Sequence, residues 1–189
     1  MFKIAVLVSG NGSNLQAIVD AIANDELKAE IAMVISSNTK AYALERAKKH
    51  HIKTYIVSNK EFNNPSEEIL KLVNQHSINL IVLAGYLGIL KGEILKVYEN
   101  KIINIHPSLL PKFGGQGMYG HHIHEAVIKA KETKTGCTVH YVSEHIDAGK
   151  IILQSKIKVL PDDTSITLAE RVLQQEHKLL PKAIKMLIK

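Results

Sequence analysis

The sequence predicts an α/β fold: an open, mostly parallel sheet with flanking helices and an antiparallel pair towards its C-terminal part. Three features point there. Strand-length apolar runs recur at 2–8, 30–36, 54–57, 80–84 and 101–105, with segments of helical spacing between them. The first run, Phe2–Val8, is apolar almost throughout, as befits a parallel strand covered on both faces. Beyond residue 136 the alternation lapses, and Cys137–Val142 and Ile151–Ser155 follow one another with only the turn-like Ser143–Gly149 between them. At 189 residues and 46% apolar content the chain has the size of one domain with a sizeable core, so a single domain over 1–189 is expected.

Each element has a local reason. Phe2–Val8 should be a central strand, and it runs into Ser9-Gly10-Asn11-Gly12-Ser13-Asn14. The helix that follows is marked by Leu15, Ile18, Val19 and Ile22, and Ser13 with Gln16 three residues on resembles a capping box at its start. Tyr42–His50 and Pro65–His76 read as helices, the second opened by Asn64 as cap and Pro65 in the first turn. Leu80–Ala84 spills into the apolar loop Gly85–Leu90, and a helix is expected over Gly92–Tyr98. The glycine-rich Lys112–Gly120 reads as a mobile or tightly turned loop before a helix over about 120–131. The closing helix should run from about Thr167 to Leu180, capped within 162–165 and kinked or split by Pro181.

Composition narrows the function classes. No run approaches the roughly 18 apolar residues of a membrane-crossing helix. Met1-Phe2-Lys3 leads straight into strand-like sequence without a leader pattern, so the cytoplasm is the expected compartment. The single cysteine, Cys137, sits in a strand and reads as a buried, inert thiol. The net charge of +6 comes from lysines scattered along helical segments, and the three Phe and six Tyr do not interleave with basic runs. That describes a solvated surface mildly attractive to anions, not a nucleic-acid binder. His121, His122 and His124 lack a carboxylate or cysteine at metal-site spacing, so no metal is expected there and the three are assigned exposed or capping roles.

The residues able to do chemistry follow strands. On a strand ending near Ile105, Asn104 and His106 alternate in phase and share one face, just before Pro107-Ser108-Leu109-Leu110-Pro111 stiffens the chain. A buried strand whose polar ends satisfy a turn would look the same. Ser9–Asn14, between a strand and a helix, suits one phosphate monoester bound by free amides, or else serves only as a tight connection. It has neither the spacing of a dinucleotide fingerprint nor the ending of a nucleotide-triphosphate loop. Gly85–Leu90 either walls a pocket for a flat ligand or packs under the next helix. Asp147, in a turn, is a structural hydrogen-bonder unless an imidazole meets it. Ligands of open sheets sit beyond the carboxyl ends of strands, so one cleft could hold all of these.

Taken in order, Ser9–Asn14, Leu83-Ala84-Gly85, Asn104–Pro111, His140, Asp147-Ala148-Gly149 and Gln175-Glu176-His177 resemble the folate-dependent phosphoribosylglycinamide formyltransferases over about residues 3–181. The resemblance implies a Rossmann-like formyltransferase fold and a reaction of purine synthesis. In it the amine of 5'-phosphoribosylglycinamide attacks the formyl carbon of the co-substrate 10-formyltetrahydrofolate. It further implies Asn104, His106 and Asp147 as the catalytic set. Gly12, Ser13 and Asn14 would hold the ribose phosphate, and Glu176 its sugar. Leu87, Gly88, Ile89, Leu90 and Asn104 would bind folate. No metal, nucleic acid or membrane is implied, and the chain would act as a monomer or homodimer. Gly88 and Pro65 lie at or near positions where relatives carry folate-contacting arginines, and the Gly114–His124 loop differs from the shorter bacterial form, so contacts of the folate tail and of that loop are not carried over. A hydrolase of the same folate or a transfer-RNA formyltransferase would be expected to bring an extra domain. A phosphate-ligand sensor would not need Asn104, His106 and Asp147 together.

Overall fold

Residues 1–188 are described in the computed structural model. Seven strands appear: β1 (Phe2–Val8), β2 (Ala29–Ser36), β3 (Thr54–Ile56), β4 (Leu80–Leu83), β5 (Ile102–His106), β6 (Lys134–Tyr141) and β7 (Ile151–Lys158). They form one sheet in the order β3-β2-β1-β4-β5-β6-β7. All pairs from β3 to β5 are parallel, whereas β5–β6 and β6–β7 are antiparallel. The helices are α1 (Ser13–Ala23), α2 (Ala43–Lys49), α3 (Pro65–Gln75), α4 (Glu93–Val97), α5 (His121–Lys129) and α6 (Ser165–Leu187).

The pleat of β1 divides the core. Ile4, Val6 and Val8 pack on one face with residues of α1, α2, α5 and α6, and Ala5 and Leu7 pack on the other with residues of α3 and α4. Ile4 to Val8 are all fully buried, which explains why this strand carries no polar alternation. At about 1.5–3 kcal/mol for each large apolar side chain buried, this two-sided packing is the main favourable term of the fold.

Several local expectations need correction. Ser13 and Gln16 form no capping box; the N-cap of α1 is Gly12 at φ 76°, without a side-chain cap, and Gln16 turns instead to Asp20 at 2.9 Å. Asn64 caps α3 by position only, because its Nδ2 donates to Glu67 Oε1 at 2.7 Å. α6 passes Pro181 without ending: Leu179, Leu180, Ala183 and Ile184 are buried on either side, and their packing outweighs the lost hydrogen bond. Thr164 does cap α6, in a reciprocal pair with Thr167. β6 and β7 are longer than the sequence suggests, because Gly136 lets the two backbones close up; a Cβ there would stand 1.8 Å from Ser155 O. Cys137 is buried, and burial beside Glu176 pushes its thiol up to about 12.

His124 departs most from expectation. His121 and His122 are exposed, but His124 is only 4% exposed, and burial together with the charges of His121 and His106 lowers its pKa to about 4. Among the described residues no helix is long and apolar enough to cross a membrane.

Two stability measurements follow. Gly136→Ala should cost about 3 kcal/mol in urea melts, at the upper end of ordinary overpacking, against about 1 kcal/mol for Thr164→Ala. For His124 the folded-state pKa of about 4 lies below the ordinary 6.5, so the unfolded chain takes up the proton first and stability falls as pH drops from 6.5 to 4. His124→Gln should flatten the fall in Tm over that range; an unchanged profile would mean that the imidazole is not held neutral.

Candidate active site

Strand order reverses between β1 and β4, and the loops that leave these two strands part to open a crevice. A hydrogen bond from Leu87 N to Ser9 Oγ, 2.8 Å, ties the two loops together, and Ser9 Oγ also meets Ser37 Oγ at 2.6 Å. The resulting cleft of about 920 Å³ is lined by Gly12, Ser13 and Asn14, by Leu87, Gly88, Ile89 and Leu90, by Asn104, His106 and Asp147, and by Glu176. Every site residue expected from sequence therefore reaches one cavity.

At its centre β5 presents Asn104 and His106 in phase, with Asn104 opposite His140 and His106 opposite Thr138 on β6. Tyr141 O lies 2.9 Å from His140 Nδ1, so that nitrogen carries the hydrogen. Burial lowers the His140 pKa, and this outweighs the Tyr141 contact and the charge of Asp147, which raise it. The neutral ring leaves Nε2 as an acceptor 3.2 Å from Asn104 Nδ2, which fixes the amide's orientation.

His106 has the opposite arrangement. Its Nε2 donates to Phe113 O at 2.8 Å, while Nδ1 stands 3.5 Å from Asp147 Oδ2. Asp147 holds its carboxylate between the two rings, with Oδ1 3.6 Å from His140 Nε2 and Oδ2 accepting from Gly115 N at 3.0 Å. The residue sits at φ 55°, and its side chain is 10% exposed. Thr138 Oγ1 secures the turn after His106 by donating to Ser108 O at 2.7 Å and accepting from Leu110 N and Gln154 Nε2.

One arm of the cleft is built for an anion. No N–H from Gly10 to Leu15 meets an acceptor among the described residues, and the first turn of α1 adds the positive end of its dipole. Asn14 donates to Glu176 Oε2 at 2.7 Å, its own Oδ1 is buried without a partner, and burial raises the Glu176 pKa despite that donation. The other arm is apolar, with Leu87 and Ile89 67% and 65% exposed at its rim.

Sequence reasoning missed part of the wall. Ile166, Ala169 and Leu173 of α6 line the cleft, and their helical spacing was a usable signal. His124 lines it too, with Nδ1 unpartnered, and no local pattern marks a buried imidazole. His140 stood in a motif without an assigned role. Among the described residues no cluster of three or more His, Cys, Asp or Glu is arranged to hold a metal ion.

Comparison with known proteins places the chain in a family. The formyl transferase family model matches residues 2–184. The chain is 41% identical to phosphoribosylglycinamide formyltransferase of Haemophilus influenzae over 98% of this chain and 86% of that one. It is also 41% identical to the trifunctional purine biosynthetic protein adenosine-3 of Bos taurus over 97% of its own length, but it spans only 18% of that longer relative. The crystal structure of glycinamide ribonucleotide transformylase 1 from Symbiobacterium toebii superposes with a TM-score of 0.93 at 35% identity, covering 99% of this chain and 87% of that one. The chain belongs to the formyl transferase family.

Proposed function

We propose that residues 1–189 act as one catalytic unit that transfers the formyl group of 10-formyltetrahydrofolate to the amine of 5'-phosphoribosylglycinamide, giving the N-formyl product and tetrahydrofolate in purine synthesis. The observation that carries this reading is the placement of Asn104, His106 and Asp147 between an anion-binding arm and an apolar arm of one cleft. The amine's phosphate would rest on the amides of Gly12, Ser13 and Asn14, with the ribose near Glu176. The folate ring would lie along Leu87–Leu90, which brings the formyl carbon to Asn104 between the two arms.

Attack of the amine makes a tetrahedral carbon bearing an oxyanion. Asn104 Nδ2 keeps one N–H on His140 and has a second to give to that oxygen. His106 reaches the oxyanion only when the Nε2 bond to Phe113 O opens, so the loop carrying Phe113 shifts as substrates enter. Asp147, beside Nδ1, helps carry the proton from the attacking amine to the departing folate nitrogen. The family relationship brings 10-formyltetrahydrofolate as co-substrate, and none of these steps draws on a metal. The protein would work in the cytoplasm on small molecules, as a monomer or homodimer.

Tetrahydrofolate release should require the phosphorylated amine and yield its formylated amide. Release of formate without the amine would instead make the chain a hydrolase. Asn104→Ala should lower kcat by about 10²–10³, the cost of one lost oxyanion donor. His106→Ala and Asp147→Asn should also act mainly on kcat, and full turnover in either would sink the assignment.

A further inference from the structure

The loop 9–12 shows only one side of its backbone to the cleft. Ser9 O accepts from Asn38 Nδ2 at 3.3 Å, Gly10 O from Ala43 N at 3.1 Å, Asn11 O from Arg46 Nε at 2.9 Å and Gly12 O from Gln16 N at 3.0 Å. In a trans peptide the next N–H points opposite to the carbonyl, so tying back these carbonyls turns the N–H groups of Gly10, Asn11, Gly12 and Ser13 the other way. α2 provides two of the four ties. It also sits hard against the loop: a Cβ on Gly12 would lie 2.5 Å from Ala43 Cβ, and φ there is 76°.

Arg46 is the one charged group among these ties. It grips Asn11 with two contacts, Nε to the backbone O and Nη2 to Oδ1 at 3.0 Å, while Nη1 reaches Gln16 Oε1 at 3.4 Å. Its guanidinium lies 5.1 Å from the centre of the Tyr42 ring, so it is held from two sides. A fork of this kind fixes direction as well as distance, which a single ammonium does not.

We infer that Arg46 is the positioning residue that gives this site its preference for a phosphorylated amine: by holding the Asn11 peptide it keeps the amides of the loop turned to the phosphate. The inference deepens the proposed formyl transfer and rests on it. Arg46 acts through Asn11 and makes no contact with the reacting atoms. Its loss therefore weakens binding of the phosphate end and leaves the chemical step, and binding along Leu87–Leu90, as they were.

The test compares 5'-phosphoribosylglycinamide with its phosphate-free riboside as acceptors, in the whole chain, for wild type, Arg46→Met, Arg46→Lys and Asn11→Ala. Arg46→Met should raise KM for the phosphorylated amine by about ten- to a hundredfold. It should leave kcat and KM for 10-formyltetrahydrofolate unchanged, and the two amines should become nearly equal substrates. Arg46→Lys should recover little of the preference, because it restores charge without the fork; full recovery would show that charge alone is at work and overturn the inference. Asn11→Ala, which removes half of the grip, should give a smaller loss, and it carries the test if Arg46→Met does not fold. An unchanged preference in both Arg46→Met and Asn11→Ala would also overturn the inference. A wild type that formylates both amines equally well would overturn it too, whereas one that formylates neither would overturn the formyl-transfer reading instead.

Discussion

The reversal of strand order between β1 and β4 is the constraint on which the rest depends. The chain lays β2 and β3 on one side of β1 and then returns to place β4 on the other. The loop after β1 leads to α1 on one face of the sheet and the loop after β4 to α4 on the other, so the two loops diverge. That divergence makes the cleft, and the Leu87 N to Ser9 Oγ bond ties its two loops together. β5 then adds beside β4 with Leu83 opposite Asn104, which delivers the amide and imidazole to the same level as the two loops. Both arms of the cleft and the Asn104–His106 pair between them thus follow from strand order and register.

This is why so much was legible in the sequence. The period of two on β5 is a backbone property, and it put Asn104 and His106 on one face whatever lay around them. The apolar strands announced two-sided burial, and burial of that kind implies helices on both faces and ligands at the strand ends. What was not legible depends on partners distant in sequence. Gln16 satisfies the local pattern of a capping box, but it lies between Asp20 and Arg46, and a left-handed Gly12 begins the helix instead. Pro181 breaks an isolated helix; here the buried residues around it hold α6 straight through. His124 sits on a helix rich in histidines, and only the fold shows which of the three faces inward. The bond that ties His106 to Phe113 O was equally hidden, since it depends on the path of a glycine-rich loop.

The site also limits how many charges it can hold. His124 and His140 are both nearly buried, and in each a positive charge is opposed first by burial and also by the charge of His106. Backbone carbonyls sort the rings. Tyr141 O takes the Nδ1 hydrogen of His140 and leaves its Nε2 as an acceptor for Asn104, a task that only the neutral ring can perform. Phe113 O and Asp147 Oδ2 face the two nitrogens of His106, whereas the Nε2 of His140 faces both the Asn104 amide and Asp147 Oδ1. An imidazolium at His140 would turn its Nε2 hydrogen on the Asn104 amide and reverse that contact. Keeping His140 neutral is therefore part of holding the Asn104 amide in one orientation. The same burial that makes the core stable thereby disfavours the charged forms of His124 and His140.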